Sequence, residues 1–325
     1  MQTQAIRFSE TGGPDVLQLE TLDLPEPGAG MVLLRHTVIG VNFIDTYHRS
    51  GLYPLPLPSG LGVEGAGVIE AVGPEVTHVK PGDRVAYAGG ALGGYAQYRL
   101  FPAERLVPVP NGVADEIAGG ALLRGMTTEY LLRRTFKVEA GMTVLIHAAA
   151  GGVGQLACQW AKALGATVIG TVGTEAKAAI AYAHGCDRVI NYATENFAQR
   201  VCELTDGRGV PVVYDGVGAA TFDGSLDSLA PRGMLVSFGN ASGAVAPFSP
   251  GILSQKGSLF FTRPTLAHYT ATRAELLQSA AAFFDVVASG KVKVEIGQRY
   301  PLAQATQAHR DLEARRTSGS TILLP

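Results

Sequence analysis

Between about Ala5 and Pro110 the apolar positions come in short runs broken by turn signals, G-G-P at Gly12, P-G-A-G at Pro27 and P-G-D at Pro81. That rhythm predicts a segment built of strands throughout. From about Thr143 to Gly239 the pattern changes. TVLIHA, TVIGTV, RVINY, VVYDGVG and GMLVSFG are near-continuous apolar runs, and VGQLACQWAKALG and EAKAAIAYAHG separate the first three with helical spacing. Buried strands alternating with helices predict a parallel sheet wound on both faces. The tail carries a helical pattern near Arg273 to Ser289, another near Ala303 to Arg315, and a closing apolar strand, STILL, from Ser320. An all-β segment, a complete α/β unit and a mixed tail predict a nucleotide-binding domain inserted into a second domain, with a ligand-holding crevice between them. No repeat with a period of 20 to 50 residues is visible.

Length agrees, since 325 residues suffice for two units with a core each. Charge narrows the partners. Lys and Arg number 26 against 28 Asp and Glu, with no block of five like charges, which gives neither nucleic acid nor an anionic membrane a basic surface to bind. Met142 to Ala161 is free of formal charge and long enough to suggest a membrane span. Gly151, Gly152 and Gly154 interrupt it, Gln155 and Gln159 punctuate it, and its pattern turns helical halfway, so a strand running into a helix is expected instead. Cys158, Cys186 and Cys202 form no CxxC pair, no base or second thiol is apparent beside any of them, and the first ten residues lack a secretory pattern. Buried or incidental thiols in a cytoplasmic protein are expected.

The motif richest in chemistry is His147-Ala148-Ala149-Ala150-Gly151-Gly152-Val153-Gly154, which follows the first α/β strand. It opens a helix whose apolar face is Val153, Leu156, Ala157, Trp160, Ala161 and Leu164. This is the dinucleotide turn G-x-G-x-x-G with its first glycine replaced by Ala149. Gly151 lets the backbone approach a pyrophosphate, and Gly154 lets the helix pack on the sheet. No Gly-Lys-Ser/Thr follows, which excludes a P-loop. The second strand ends Val172-Gly173-Thr174 without the Asp or Glu that holds a ribose 2′-hydroxyl in NAD-preferring domains. Glu175 lies just past it, Lys177 two residues later, and Tyr192 closes the third strand. Lys177 and Tyr192 are candidates to hold a 2′-phosphate, and NADPH is the cofactor expected.

Five further stretches point to one family: G-V-N-F-I-D-T-Y from Gly40, R-S-G-L-Y-P from Arg49, G-V-E-G-A-G-V-I from Gly62, A-A-A-G-G-V-G from Ala148, and the closing helix, turn and strand. Across its whole length the chain resembles the zeta-crystallin-like quinone oxidoreductases, a zinc-free branch of the medium-chain dehydrogenases and reductases. The resemblance implies an α/β protein with a GroES-like, partly open β-barrel catalytic domain (1–125 and 263–325) and a Rossmann domain (126–262). It also implies a homodimer. Zinc-dependent relatives place Cys where this chain has Asn42 and His where it has Val63. Neither replacement offers a zinc donor, no cysteine precedes Cys158, and the seven histidines form no HxxxH or CxxH pair. No metal is expected.

By the same resemblance Asn42, Asp45, Tyr47 and Tyr53 line the quinone pocket beside the nicotinamide; the plainer role for Asp45 is to orient a loop. Thr127 and Tyr130 stand on the helix leading into the cofactor domain. Phe238, Gly239 and Asn240 follow the fifth strand of that domain, and Arg315, next to Arg316, reaches the 2′-phosphate. Without a Lewis acid to polarise an alcohol, the acceptor expected is one that takes hydride readily, a quinone in the interdomain cleft. Two competitors stand beside it. One is reduction of an activated C=C bond in an enal, enone or enoyl compound, and the other is a cofactor-binding structural or RNA-binding role.

Overall fold

The computed structural model describes every residue from Met1 to Pro325. From the N-terminus come β1 (Gln2–Phe8), β2 (Gln18–Asp23), β3 (Met31–Val41), helix α1 (Phe43–Ser50), β4 (Ser59–Gly60), β5 (Glu64–Val72), β6 (Arg84–Ala88), β7 (Tyr98–Pro102) and β8 (Val107–Pro108). Helices α2 (Asp115–Gly120) and α3 (Leu122–Tyr130) follow. The middle of the chain holds β9 (Thr143–Ile146), α4 (Gly152–Ala163), β10 (Thr167–Val172), α5 (Glu175–Ala183), β11 (Arg188–Asn191), α6 (Phe197–Leu204) and β12 (Val210–Asp215). It continues with α7 (Phe222–Asp227), β13 (Leu229–Ser237), α8 (Gly251–Gln255), β14 (Phe260–Thr262) and α9 (Leu266–Tyr269). Last come α10 (Arg273–Ala288), β15 (Ile296–Pro301), α11 (Ala305–Glu313) and β16 (Ser320–Leu324).

Two units form. The first comprises Met1–Gly125, Thr270–Ala288 and Val294–Pro325, and the second Met126–Tyr269 and Ser289–Lys293. In the second unit a wholly parallel sheet runs in the order β11-β10-β9-β12-β13-β14. Its order reverses between β9 and β12, and in such sheets ligands bind outside the carboxyl ends of the strands at that reversal. Val144, Leu145, Ile146, Val168, Ile169, Val212 and Val213 are all buried, which is why these strands read as unbroken apolar runs. The uncharged stretch from Met142 is β9 followed by α4, and no helix of the chain is long and apolar enough to cross a membrane. A sixth strand, β14, was not marked by the pattern. It has three residues, and Phe260 is 57 % exposed, too short and too open for an apolar run.

The first unit is built on sheets ordered β2-β1-β4 and β15-β16-β3-β5-β6-β8, with β7 also paired to β3. Register shifts along β3 at Leu33/Leu34 and His36/Val38 bend that strand. Ile6, Phe8, Ile39, Val41, Leu61 and Tyr95 share one core with Leu302, Ala305, Ala308 and Leu323, so the tail completes the N-terminal unit. The expectation of strands throughout this region is corrected by α1. Asn42 precedes the helix in an extended conformation, and its N–H donates to the Asp45 carboxylate at 2.8 Å, as in a capping box. Asp45 therefore sits in the first turn of a helix, where its carboxylate holds the residue that precedes it.

Candidate active site

In the second unit the turn from β9 into α4 is shaped by its backbone. Gly151 N–H donates to Ala148 O at 2.8 Å, Ala149 N–H to Thr171 O at 3.0 Å, and the Gln155 side chain to Ala150 O at 3.0 Å. Ala148 takes a left-handed φ of 51°, a conformation that costs a residue with a Cβ of order 1 kcal/mol and is concentrated at functional turns. Gly154 lies so close to this turn that a Cβ on it would stand 2.2 Å from Ala148 O. No side chain caps α4, so its first-turn amides and the helix dipole are open to an anion. Gly151, Gly152, Val153 and Gly154 fit a pyrophosphate by this geometry.

At the carboxyl ends of β10 and β11, Gly173, Thr174, Lys177 and Tyr192 are gathered together. Thr174 caps α5 by accepting the Lys177 N–H at 3.3 Å. The Tyr192 hydroxyl closes over Gly173, where a Cβ would come within 2.8 Å of it. Glu175, the nearest carboxylate, accepts from the Asn191 side chain at 2.8 Å. Phe238, Gly239 and Asn240 follow β13 and pack against the turn after β12, Phe238 N–H donating to Asp215 O at 2.8 Å. Asp215 holds that turn through the N–H groups of Val217 and Gly218 and the Thr221 hydroxyl at 2.7–3.0 Å. Arg263 donates to Gly239 O at 3.0 Å.

Tyr130 closes α3 and is buried, stacked on Tyr269 with ring centroids 4.5 Å apart. Burial raises its phenol pKa, so it remains a neutral O–H. Thr127 lies one turn earlier, half-buried. Arg315 belongs to the first unit, exposed just past α11, and its neighbour Arg316 pairs with Asp311 at 3.5 Å. The expectation of isolated thiols is corrected in one respect. Cys186 donates its S–H to Cys158 at 3.4 Å, a contact between residues 28 apart in sequence, and Cys202 is exposed. The hydrogen bond with Cys186, and then burial, raise the Cys158 pKa well above its ordinary value, which makes it a poor thiolate.

In the first unit Asn42 is held at both its backbone and its side chain. Its Nδ2 donates to Glu64 Oε2 at 2.7 Å while its N–H donates to Asp45 Oδ2. Glu64, fully buried, also accepts the Leu123 N–H at 2.7 Å. Burial raises its pKa, opposed by Arg124. Asp45 is fully buried too. It accepts from the Tyr95 hydroxyl at 2.9 Å, its Oδ1 has no partner, and burial lifts its carboxyl from 3.8 to about 7. On the other side of the helix start, Tyr47 and Tyr53 meet edge to face at 5.2 Å, with Tyr53 N–H on Tyr47 O at 3.1 Å. Tyr47 is buried and Tyr53 half-buried. Glu64, Tyr95 and Arg124 were not singled out as site residues from the sequence. The one signal was a charged residue in the apolar stretch G-V-E-G-A-G-V-I.

Two family models match the chain: an alcohol dehydrogenase GroES-like domain over residues 28–111 and a zinc-binding dehydrogenase domain over residues 152–284. A quinone oxidoreductase of Pseudomonas aeruginosa is 56 % identical over 98 % of this chain and 99 % of its own length. This chain belongs to the quinone oxidoreductases of the medium-chain dehydrogenase/reductase superfamily. Within the family, the structure of an Escherichia coli quinone oxidoreductase complexed with NADPH superposes with a TM-score of 0.98, at 49 % identity and covering 99 % of this chain and all of that one. A 2-haloacrylate reductase from a Burkholderia species is 48 % identical over 97 % of this chain and 96 % of its own. The mixed fold, with a GroES-like unit and a Rossmann-like parallel sheet, is the family's.

Proposed function

We propose that this protein is an NADPH:quinone oxidoreductase that works without a metal. The reading rests on the full-length likeness to quinone oxidoreductases, joined to an uncapped phosphate turn built to take a dinucleotide. When bound, the dihydronicotinamide supplies the hydride. The protein supplies position and a dry setting. The amides of Gly152, Val153 and Gly154 take the pyrophosphate, and Gly151, whose own N–H is used on Ala148 O, lets the backbone approach it. Lys177 and Tyr192, with Arg315, take the 2′-phosphate, while Asn191 occupies the nearby carboxylates of Glu175 and Glu195. Thr127, Tyr130, Phe238, Gly239 and Asn240 border the rest of the nucleotide. Asn42, Tyr47 and Tyr53 serve the quinone, the two phenols as apolar aromatic surface with O–H donors. Asp45 and Glu64 hold Asn42.

Zinc does not fit the residues present. The Asn42 amide nitrogen is tied to Glu64, Val63 has no donor atom, and no group of three His, Cys, Asp or Glu stands together to hold an ion. A quinone suits such a site because its reduction makes an aromatic ring and its oxygen needs only hydrogen bonds. The deciding test is a panel of benzoquinones, naphthoquinones, fused quinones and enones assayed by loss of NADPH absorbance. Turnover of quinones is expected, and its absence across all of them would remove the reading. The 2-haloacrylate reductase among the relatives favours activated C=C bonds as a second substrate class in the same panel.

Cofactor choice gives a sharper expectation. Lys177→Ala and Arg315→Ala each remove a cation proposed to meet the 2′-phosphate, and one charge-assisted hydrogen bond contributes about 1.5–3 kcal/mol. The kcat/KM ratio of NADPH over NADH therefore falls about tenfold or more, with NADH turnover little changed. Ratios equal to wild type in both variants would overturn the 2′-phosphate assignment.

We also propose a cytoplasmic homodimer. Strand β14 lies at one edge of the six-stranded sheet with Phe260 exposed, and an open edge of this kind is a template for pairing with a second copy. Phe260→Asp is expected to shift the protein toward monomer in sedimentation velocity. An unchanged dimer would place the interface elsewhere, and a monomeric wild type would remove it.

A further inference from the structure

The start of α1 is fixed by hydrogen bonds whose direction follows atom by atom. Asp45 Oδ2 accepts the Asn42 N–H at 2.8 Å, so it is an acceptor, and the Tyr95 hydroxyl 2.9 Å away must point its hydrogen there. His309 Nε2 stands 3.1 Å from the Tyr95 oxygen. Since the phenol hydrogen is already used, Nε2 carries the imidazole proton and donates. That leaves Nδ1 bare, and Arg49 Nη1 donates to it at 3.0 Å. Three of the other guanidinium hydrogens go to Gly12 O at 3.0 Å and to the two carboxylate oxygens of Glu313 at 2.6 and 3.1 Å.

Tyr95, His309 and Asp45 are fully buried, and burial together with Arg49 lowers the His309 pKa to about 3, which keeps the ring neutral. A neutral imidazole with a cation on one nitrogen and a phenol on the other has one tautomer here. The chain therefore presents Asp45 Oδ2 with a donor whose orientation is set from α11. On the opposite side Glu64 grips the Asn42 side chain.

We propose that His309, acting through Tyr95 and Asp45, is a positioning residue that fixes where Asn42 is presented to the quinone. The inference rests on the role proposed for Asn42 above. A tail helix thus governs the reaction through a backbone N–H, without touching substrate.

Four variants and two spectroscopic measurements test it. His309→Leu and Tyr95→Phe break the chain, and His309→Gln keeps one acceptor for Arg49 and one donor for Tyr95. Displacement of a positioning group costs up to about a hundredfold in rate, and a fall in kcat of about tenfold is expected for the first two, with the KM for NADPH unchanged and the Gln variant restoring most of the rate. In Tyr95→Phe the Asn42 amide resonance should move, and in the wild type the imidazole ¹⁵N shifts should show a proton on Nε2 and none on Nδ1. Folded His309→Leu with wild-type kcat, beside a slow Asn42→Ala, would overturn the positioning role while leaving Asn42 in place. A proton on Nδ1, or an unmoved Asn42 resonance, would overturn the chain itself. Wild-type turnover by Asn42→Ala would instead remove the reading of Asn42, and with it any catalytic consequence of His309.

Discussion

Gly154→Ala is expected to abolish useful NADPH binding. The added Cβ would stand 2.2 Å from Ala148 O and 2.8 Å from Ala149 Cα, both backbone atoms that no rotamer change can move. The phosphate turn must lift away from α4, and the amides aimed at the pyrophosphate lose their alignment. Losing two charge-assisted hydrogen bonds of about 1.5–3 kcal/mol each weakens binding about a hundredfold or more. Overpacking costs a further loss of stability of about 1–3 kcal/mol. Gly151→Ala provides the internal comparison. Its Cβ would meet Ala148 O at 3.1 Å, so the fold should tolerate it far better. Calorimetric titration with NADPH and thermal unfolding of both variants check this, and a Gly154→Ala protein that binds like wild type would show that the turn does not hold the pyrophosphate.

Arg124→Met carries the largest expected cost in stability. Arg124 is buried, donates to Val41 O at 2.6 Å and to Gly120 O at 3.3 Å, and is the cation that opposes the rise in pKa of both Glu64 and Asp45. Removing one member of a buried charge cluster costs about 3–5 kcal/mol. The pH dependence has a definite sign. A carboxyl whose folded pKa is raised keeps its proton in the window where the unfolded chain has lost it. Its contribution is therefore full below the unfolded value and is lost as pH rises. For Asp45 the window runs from 3.8 to about 7, with a slope of up to about 1.4 kcal/mol per pH unit. Without Arg124 both carboxyls rise further and the window extends upward. Urea unfolding should therefore show a larger deficit for Arg124→Met at about pH 8 than at about pH 5. Equal deficits would mean that the guanidinium acts by packing alone.

The two units were legible to different degrees. The parallel sheet announced itself because Leu145, Ile169 and Val213 are buried on β9, β10 and β12, leaving no polar alternation to confuse the pattern. The phosphate turn was legible because its glycines answer a local demand, close approach of Gly154 to Ala148. Helix α1 was hidden because four of its eight residues, Asp45, Thr46, Tyr47 and Arg49, are buried yet three of them are polar, so no apolar stripe marks it. Its one local sign was Asn42 followed three residues later by Asp45. Strand β14 is too short to register. The groups that stand behind Asp45 and Tyr95 were illegible for another reason. Arg49 and His309 are 260 residues apart and meet only once the sheet has formed, and nothing in either neighbourhood forecasts a hydrogen bond. Cys158 and Cys186 meet in the same way, each inconspicuous alone.

Strand β16 lies between β15 and β3 inside the first unit's larger sheet, one strand from its edge, although it is drawn from the far end of the sequence. Domains tend to fold as units while the chain emerges from the ribosome. The second unit has all its residues by Lys293 and can consolidate during synthesis. The first unit, though begun earlier, lacks this interior strand until Ser320–Leu324 are released, so the end of β3 at Ile39–Val41, beyond the stretch paired to β7, waits unpaired on that edge. In the living cell, that interval is when the nascent polypeptide is most exposed to self-association and when a chaperone has most to shield.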